Sequence, residues 1–237
     1  MTFALAWHPP RARGTEFLDD PRLDPAVATR SLQDVARCNR LFGGASAVIA
    51  ELRPVLAAAR RRRAPLTLLD VGTGAGDIPA RARREAEASG VRVGTIGLDV
   101  NVALAGACRA QCGHALAADA RALPFADRSV DVVVCSQLLH HFEEPAARVL
   151  LAELDRVARV RVIVAEIRRT WAAAGGVWVA SWALGFHPVS RHDGVVSVLR
   201  GFRAGELASL VRAATGHRAV VSDRPGFRVT ASWSPSP

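Results

Sequence analysis

Two adjacent histidines and a later glutamate are the residues of this 237-residue chain best suited to acid–base chemistry. His140 and His141 follow one β-branched apolar segment, and Glu166 ends the next. An imidazole oriented by a carboxylate is an effective general base, because its pKa lies near neutral pH. The sequence therefore predicts that one histidine accepts a proton and that Glu166 orients it. The alternative interpretation is that both histidines only cap or pack the start of a helix.

Polar residues end the first five predicted strands. They are Asp70, Asp99, Asp119, Ser136 and Glu166. In an open parallel sheet ligands bind beyond the carboxyl ends of the strands, so these side chains should converge on one rim. Because four of the five are acids, the rim suits a ligand that carries a positive charge, an amine and a ribose diol.

A glycine-rich turn, Asp70-Val-Gly-Thr-Gly-Ala-Gly76, follows the first predicted strand. Glycines let the backbone turn sharply and approach a ligand closely. The spacing is GxGxG instead of the dinucleotide pattern GxGxxG, and the Lys-Ser/Thr pair of a phosphate-binding loop is missing. Asp77 begins the next helix, where a phosphate would otherwise bind to the positive end of the helix dipole. The turn therefore predicts a ligand without phosphate.

Strands and helices alternate about five times around these residues. The strand segments are continuous runs of Val, Leu and Ile, and the segments between them have the period of amphipathic helices. This pattern predicts an α/β fold whose parallel sheet is covered on both faces. Two further strand segments flank the hairpin-like turn at residues 223–226, and they predict an antiparallel edge at the C-terminal end of the sheet.

Four ordered motifs resemble those of the class I S-adenosylmethionine-dependent methyltransferases. They are the glycine-rich turn and the segments 118–125 (ADARALPF), 129–136 (SVDVVVCS) and 139–142 (LHHF). The most similar subgroup is the small-molecule O- and C-methyltransferases, which include quinone-pathway and natural-product tailoring enzymes. The resemblance covers roughly residues 65–166. It implies a Rossmann-like, doubly wound, mostly parallel sheet of seven strands, with an antiparallel C-terminal edge and a helical N-terminal cap.

The resemblance implies methyl transfer from S-adenosylmethionine to a hydroxyl of a small, aromatic or polyketide-like molecule. C- or N-methylation, and a non-catalytic protein that only binds S-adenosylmethionine, remain open alternatives. We expect an N-terminal arm and helical cap over residues 1–60 and a methyltransferase domain over residues 61–237. A lid insertion at about residues 168–202 holds His187, His192 and four aromatic residues that either wall an acceptor pocket or lie in the core: Trp171, Trp178, Trp182 and Phe186.

The resemblance also implies a role for each residue of the rim. The turn would pass beneath the methionine part of the cofactor through Gly72, Thr73, Gly74 and Gly76. Asp70 would orient the ammonium group, and Ser136 would line the methionine end. Asp99 would accept hydrogen bonds from the ribose hydroxyls. The residues expected around the adenine are Val100, Asp119 and Ala120.

The composition bears on whether the protein binds nucleic acid. The formal charge is +9, but all 31 basic residues are Arg and the only dense basic run is 60–63, so we interpret the charge as a coding bias. The chain has Cys-Ser-Gln-Leu-Leu at residues 135–139, where amino-directed nucleic-acid methyltransferases have an Asn/Asp-Pro-Pro-aromatic motif. We predict a small-molecule acceptor and no nucleic-acid partner. The oligomeric state stays open, with a homodimer among the alternatives.

The four cysteines are Cys38, Cys108, Cys112 and Cys135, and they form no CxxC pair or zinc-like pattern. We therefore expect reduced thiols, no metal site and a cytoplasmic protein. The N-terminus lacks the basic start and apolar run of a signal peptide. The most apolar segment, residues 171–186, is shorter than the ~20 residues that span a bilayer, so no membrane span is expected.

Overall fold

Seven strands form one sheet in the computed structural model, which describes residues 8–12, 14–20 and 22–236. The strands are β1 Leu66–Val71, β2 Val93–Asp99, β3 His114–Ala117, β4 Val130–Ser136, β5 Ala158–Ile167, β6 Val220–Arg224 and β7 Arg228–Trp233. Their order is β3-β2-β1-β4-β5-β7-β6, and β7 runs antiparallel to both of its neighbours. The prediction of a mostly parallel, seven-stranded α/β sheet with an antiparallel C-terminal edge is confirmed.

Eight helices of the described part of the chain surround the sheet. They are α1 Pro25–Leu41, α2 Gly44–Arg62, α3 Asp77–Ala88, α4 Val102–Cys108, α5 Glu144–Val157, α6 Trp171–Ala183, α7 Pro188–Arg200 and α8 Ala204–Thr215. The apolar sides of α2 and α3 pack on one face of the sheet, and those of α5 and α8 pack on the other. Burial of both faces explains why the strands are continuous apolar runs instead of alternating ones.

Local signals in the sequence account for several element ends. Asp24 caps α1 by accepting from the Ala26 N–H at 2.8 Å, and Asn101 caps α4, as predicted, by accepting from the Ala103 N–H at 2.9 Å. At the other end of a helix, Gly216 terminates α8 with a positive φ of 77°.

Two of the four cysteines are bonded to each other, so the prediction that all thiols are reduced is wrong. Cys108 and Cys112 form a disulfide, whereas Cys38 and Cys135 are free. The helix expected to continue to Cys112 ends at Cys108, and the next residues form a turn in which the Cys112 N–H donates to the Cys108 carbonyl at 2.8 Å. This helical spacing of four residues brings the two sulfur atoms to the same side of the turn.

The lid insertion consists of α6 and α7. Trp171, Trp178 and Trp182 are 54%, 55% and 57% exposed, so the expectation that they wall a pocket or lie in the core is wrong. The side of α6 that faces the protein contains the small residues Ala173 and Ala174, and the bulky indoles are therefore directed outward. Of the four aromatic residues singled out, Phe186 alone is buried.

The N-terminal segment docks onto the lid and the sheet. A short 3₁₀ turn, Phe17–Asp19, lies against α7, where Asp193 accepts from the Phe17 and Leu18 backbone N–H groups. The predicted division at residues 60 and 61 stays a prediction. Residues 1–7, on which the absence of a signal peptide was predicted, lie outside the described residues.

Among the described helices, none taken alone has both the length and the hydropathy to cross a membrane. The bent pair of α1 and α2 meets these criteria when the two helices are counted together, and most of the apolar side of α2 is buried inside the protein.

Candidate functional site

The glycine-rich turn lies at the carboxyl end of β1 and has an open backbone. Its three glycines, Gly72, Gly74 and Gly76, have φ values of 74°, 52° and 79°, a region that L-residues with side chains rarely adopt. A Cβ at Gly74 would meet no atom within 4 Å, so this part of the turn faces open space. Thr73, between them, is buried and its N–H donates to the Leu98 carbonyl at 2.9 Å. The turn can therefore approach a ligand closely.

Asp99, at the end of β2, holds the turn in place. Its Oδ2 accepts from the Gly74 N–H and its Oδ1 from the Asn101 N–H, both at 3.0 Å. A carboxylate oxygen can accept more than one hydrogen bond, so Asp99 retains acceptor capacity for a diol. The next residue, Val100, is 75% exposed and offers an apolar surface to a planar ring.

Asp70 is a buried acid without a partner. Its side chain is 1% exposed, and neither carboxylate oxygen has a hydrogen-bond partner among the described residues. Burial raises the pKa of Asp70 to about 8; the nearby Thr73 hydroxyl opposes this shift, and the charges of Asp77 and Asp99 add to it. Ser136, at the end of β4, also has a buried hydroxyl that lacks a partner. Orphaned polar groups at this rim fit a ligand that brings an amine or ammonium donor.

Asp119 differs from the other rim acids because it is already paired. It follows β3 and accepts from the Arg121 guanidinium, with Nη2 2.7 Å from Oδ2. The pKa of Asp119 is lowered, first by the hydrogen bond from that guanidinium. The adjacent Ala120 is buried. Asp119 is therefore ionised and stays accessible at the edge of the rim, where the sequence predicts contact with an exocyclic amine.

His140 and Glu166 meet at the centre of the rim. Nδ1 of His140 lies 2.7 Å from Oε2 of Glu166, and the His140 backbone N–H donates to Oε1 at 3.3 Å. Both side chains are almost fully buried. Burial alone would raise the pKa of Glu166, but the charge and hydrogen bond of His140 outweigh it and lower that pKa. Since Nδ1 is occupied by the carboxylate, Nε2 remains for proton transfer.

His141 is held by different carboxylates. Its ring stacks on that of His140 with 4.4 Å between the centroids, and its Nδ1 lies 3.1 Å from Oδ1 of Asp19. Burial would lower the pKa of His141, but the hydrogen bond with Asp19 and the charge of Glu16 raise it above its usual value. This environment favours the imidazolium form, which cannot accept a proton.

Glu16 and Arg200 complete the group of charged residues around His140 and His141, and the sequence analysis did not predict the role of either. Glu16 is buried, and its carboxylate faces Nε2 of His140 at 3.8 Å and Nε2 of His141 at 3.9 Å. Arg200 of α7 pairs with Glu16 at 3.2 Å and with Asp19 at 3.3 Å. The ion pairs of Arg200 thus fasten the N-terminal arm to the lid beside the histidines.

Glu16, His140 and His141 also place potential metal-ligand atoms within 4.8 Å of one another. The guanidinium of Arg200, 3.2 Å from Oε1 of Glu16, already neutralises this carboxylate and opposes a cation there. The expectation of no metal site stays a prediction.

An apolar cavity, here called the acceptor cavity, lies between α1, the lid helices, the arm and the ends of β5 and β7. Its apolar walls include Val35, Phe42, Ile167, Val177, Phe186, Val198 and Phe227. Glu16 and Gln137 also line it, and Gln137 directly follows Ser136, so the cavity adjoins the cofactor rim. His187 and His192, the other two histidines singled out, serve the lid: His187 caps α7, and His192 pairs with Asp193 at 2.9 Å.

Comparison with known proteins adds a family match. Residues 68–161 match the family model described as a methyltransferase domain. This range contains most of β1, all of β2 to β4 and the greater part of the rim described above. No curated protein sequence matches the chain.

Several solved structures share the fold. The structure of mitomycin 7-O-methyltransferase has a TM-score of 0.63 at 15% identity, covering 94% of this chain and 62% of that chain. Magnesium protoporphyrin IX methyltransferase from Synechocystis PCC 6803, crystallised with bound SAH, has a TM-score of 0.53 at 16% identity. The match covers 85% of this chain and 87% of that chain. A SAM-dependent methyltransferase from Aquifex aeolicus has a TM-score of 0.53 at 17% identity. The match covers 72% of this chain and 82% of that chain.

Proposed function

We propose that the chain is a class I S-adenosylmethionine-dependent methyltransferase and that it methylates a hydroxyl group of a small aromatic or polyketide-like molecule. The observation that carries this proposal is the contact of His140 with Glu166 at 2.7 Å, next to an apolar cavity that adjoins the cofactor rim. Mitomycin 7-O-methyltransferase, similar in fold, acts on a small molecule according to its name, which supports the same class of acceptor.

The rim residues fit S-adenosylmethionine, which when bound supplies a methyl group activated by its sulfonium. The open turn at Gly74 would lie beneath the methionine part, and the unpartnered Asp70 carboxylate would orient the ammonium. Asp99 would accept from the ribose diol, and the exposed Val100 would pack on the adenine. Asp119 would accept from the adenine amine beside Ala120, and Ser136 would line the methionine end.

His140 is assigned as the general base. A hydroxyl is a poor nucleophile until its proton is removed, and a positioned imidazole does this near neutral pH. The 3.8 Å between Nε2 of His140 and Glu16 is too long for a direct hydrogen bond, but a single hydroxyl can bond to both groups. We assign Glu166 as the residue that orients the imidazole and Glu16 as the residue that aligns the acceptor hydroxyl.

The acceptor cavity supports an aromatic substrate because its walls are largely apolar. The arm and lid cover part of the cavity, which limits the access of water to the acceptor. N-methylation does not need the buried base, because an unprotonated amine is already nucleophilic. The base therefore favours transfer to a hydroxyl over transfer to an amine.

The proposal is tested with S-adenosylmethionine that carries a trideuterated methyl group. The protein is incubated with a panel of hydroxyaromatic compounds, each paired with its own methyl ether, and products are analysed by mass spectrometry. We expect the label in compounds with a free hydroxyl and not in the matched ethers. Label in the ethers would identify C-methylation, and binding of S-adenosylhomocysteine without any labelled product would identify a non-catalytic binding protein; both results contradict the proposal.

Cofactor affinity should depend on pH through Asp70. Its pKa of about 8 means that the carboxyl is mostly protonated at pH 7 in the free protein, whereas an ammonium ligand favours the carboxylate. We expect binding of S-adenosylhomocysteine to release a proton and to tighten by up to about tenfold per pH unit as pH rises towards 8. Titration calorimetry in two buffers of different ionisation enthalpy measures the proton release.

Asp70→Asn is the matched control for this titration. It should bind more weakly and should lose the pH dependence between about pH 6 and 8. In the free protein, Asp70 keeps its proton up to about pH 8 in the native state, whereas it loses the proton near pH 4 in the unfolded chain. The free energy of unfolding therefore falls as pH rises from about 4 to 8, and Asp70→Asn reduces this slope. Equal pH dependence in both proteins would remove Asp70 from the cofactor site.

A further inference from the structure

Arg228 is a buried cation that forms no ion pair with the described residues, although the charge of Glu166 acts on it from a greater distance. It begins β7, is 5% exposed and lines the acceptor cavity. Its Nε donates to the Phe42 carbonyl at 3.2 Å and its Nη1 to Oε1 of Gln137 at 2.6 Å. Both partners are neutral, and Nη2 has no hydrogen-bond partner among residues 8–12, 14–20 and 22–236. Burial lowers the pKa of Arg228, yet guanidinium remains charged in proteins.

The acids that line the same cavity are already neutralised. Glu16 pairs with Arg200, and Ser197 Oγ donates to it at 2.9 Å. Asp34 accepts from the His187 N–H and from Ser190 Oγ, both at 2.9 Å, and lies 3.7 Å from the guanidinium of Arg30.

Asp193 accepts from two backbone N–H groups and pairs with His192. Arg228, by contrast, forms no ion pair with any residue that the structure describes. A buried charge is costly unless it is paired. Glu166 contacts His140 and acts on Arg228 only from beyond ion-pair distance, so a direct anionic partner for Arg228 is missing from the cavity.

We propose that the methyl acceptor carries an anionic oxygen group, a carboxylate or an acidic phenolate, which pairs with Nη2 of Arg228. This inference rests on the proposed function and specifies its substrate class. Strand register sets Arg228 opposite Ile167, the residue after Glu166, and the charge of Glu166, which orients the base, acts on Arg228. The anionic group would therefore anchor the aromatic ring in the apolar cavity, close to the hydroxyl that His140 deprotonates.

Two naphthalene probes that differ in charge test the pairing by fluorescence. 1-Anilinonaphthalene-8-sulfonate carries an anionic oxygen group, and N-phenyl-1-naphthylamine has the same ring skeleton without it. In Arg228→Met we expect the affinity for the sulfonate to fall about tenfold to hundredfold, the size expected for a charge-assisted hydrogen bond. Affinity for the neutral probe should change less than about twofold, because the apolar walls are intact.

Two control variants locate the probes. Arg203→Met removes an exposed arginine that pairs with Glu206, and it should leave both affinities unchanged. Gly176→Leu fills the acceptor cavity from α6, where a Cβ has open space apart from one Phe227 atom at 4.0 Å, and it should weaken both probes. Binding of S-adenosylhomocysteine by each variant confirms that the fold is retained.

The proposed pairing is overturned if Arg228→Met lowers the affinity for both probes equally, or if it changes neither affinity. It is also overturned if Arg228→Met lowers only the affinity for S-adenosylhomocysteine, because Arg228 would then bind the carboxylate of the cofactor. If Arg228→Met does not fold, the wild-type protein gives the answer: 1-naphthoate should displace the sulfonate probe at about a tenth of the concentration of 1-naphthamide. Equal displacement would reject the proposal. These binding measurements do not depend on methyl transfer, so failure of the proposed function is detected separately.

Discussion

Replacing His140 by alanine is expected to lower kcat by about 10²–10⁴-fold, because the acceptor hydroxyl loses its general base. Nδ1 of this imidazole is held at 2.7 Å by a fully buried Glu166, and its Nε2 faces Glu16, which lines the acceptor cavity, at 3.8 Å. The variant should keep its affinity for S-adenosylhomocysteine, because the predicted cofactor residues lie on other parts of the rim. Steady-state kinetics with an identified acceptor, together with calorimetric cofactor binding, measure both quantities.

His141→Ala is the matched control for this experiment. Burial would lower the pKa of His141, but its hydrogen bond with Asp19 and the charge of Glu16 raise it, so its environment favours the imidazolium form. Its loss should weaken the docking of the arm and lower kcat by less than about tenfold. If His140→Ala retained full activity, or if His141→Ala were the slower variant, the assignment of the base would be wrong.

Gly226→Ala is expected to lower the free energy of unfolding by about 2–5 kcal/mol. Gly226 lies in the turn between β6 and β7 with a φ of 74°, which strains any residue that has a Cβ. A Cβ there would also overlap the Phe42 carbonyl oxygen and lie 2.6 Å from its carbon. Backbone atoms cannot rotate aside, so the junction of α1 and α2 would have to move away from β7. Chemical denaturation monitored by circular dichroism measures the loss.

Gly216→Ala separates the cost of the positive φ from the cost of the steric overlap with Phe42. Gly216 has almost the same φ, 77°, but a Cβ there would meet no atom within 4 Å. This variant should lose only the conformational part, about 1–2 kcal/mol. If the two variants were equally stable, the close approach of Phe42 to the turn would not be present in solution.

The sequence alone was sufficient to predict the sheet and which residues follow the ends of its strands. Apolar runs from Leu66 to Val71 and from Val130 to Ser136 are strands because both faces of the sheet are buried. Asn101 caps its helix through its own side chain. These features depend on residues only a few positions apart, and the sheet geometry then brings the strand ends to one edge. The pairing of His140 with Glu166 follows from the same rule, since β4 and β5 are neighbours.

Only the tertiary structure revealed the residues that complete the centre and the cavity. Glu16 and Asp19 come from an irregular arm, and Asp19 meets His141 across 122 positions of sequence. Arg228 has neutral partners 186 and 91 positions away, and nothing in its local pattern distinguishes it from other arginines. The outward direction of the tryptophans of α6 likewise depends on which side of that helix faces the protein. Periodicity and capping describe interactions within a few residues, whereas docking of an arm, a lid and a hairpin depends on surfaces that exist only after the sheet has formed.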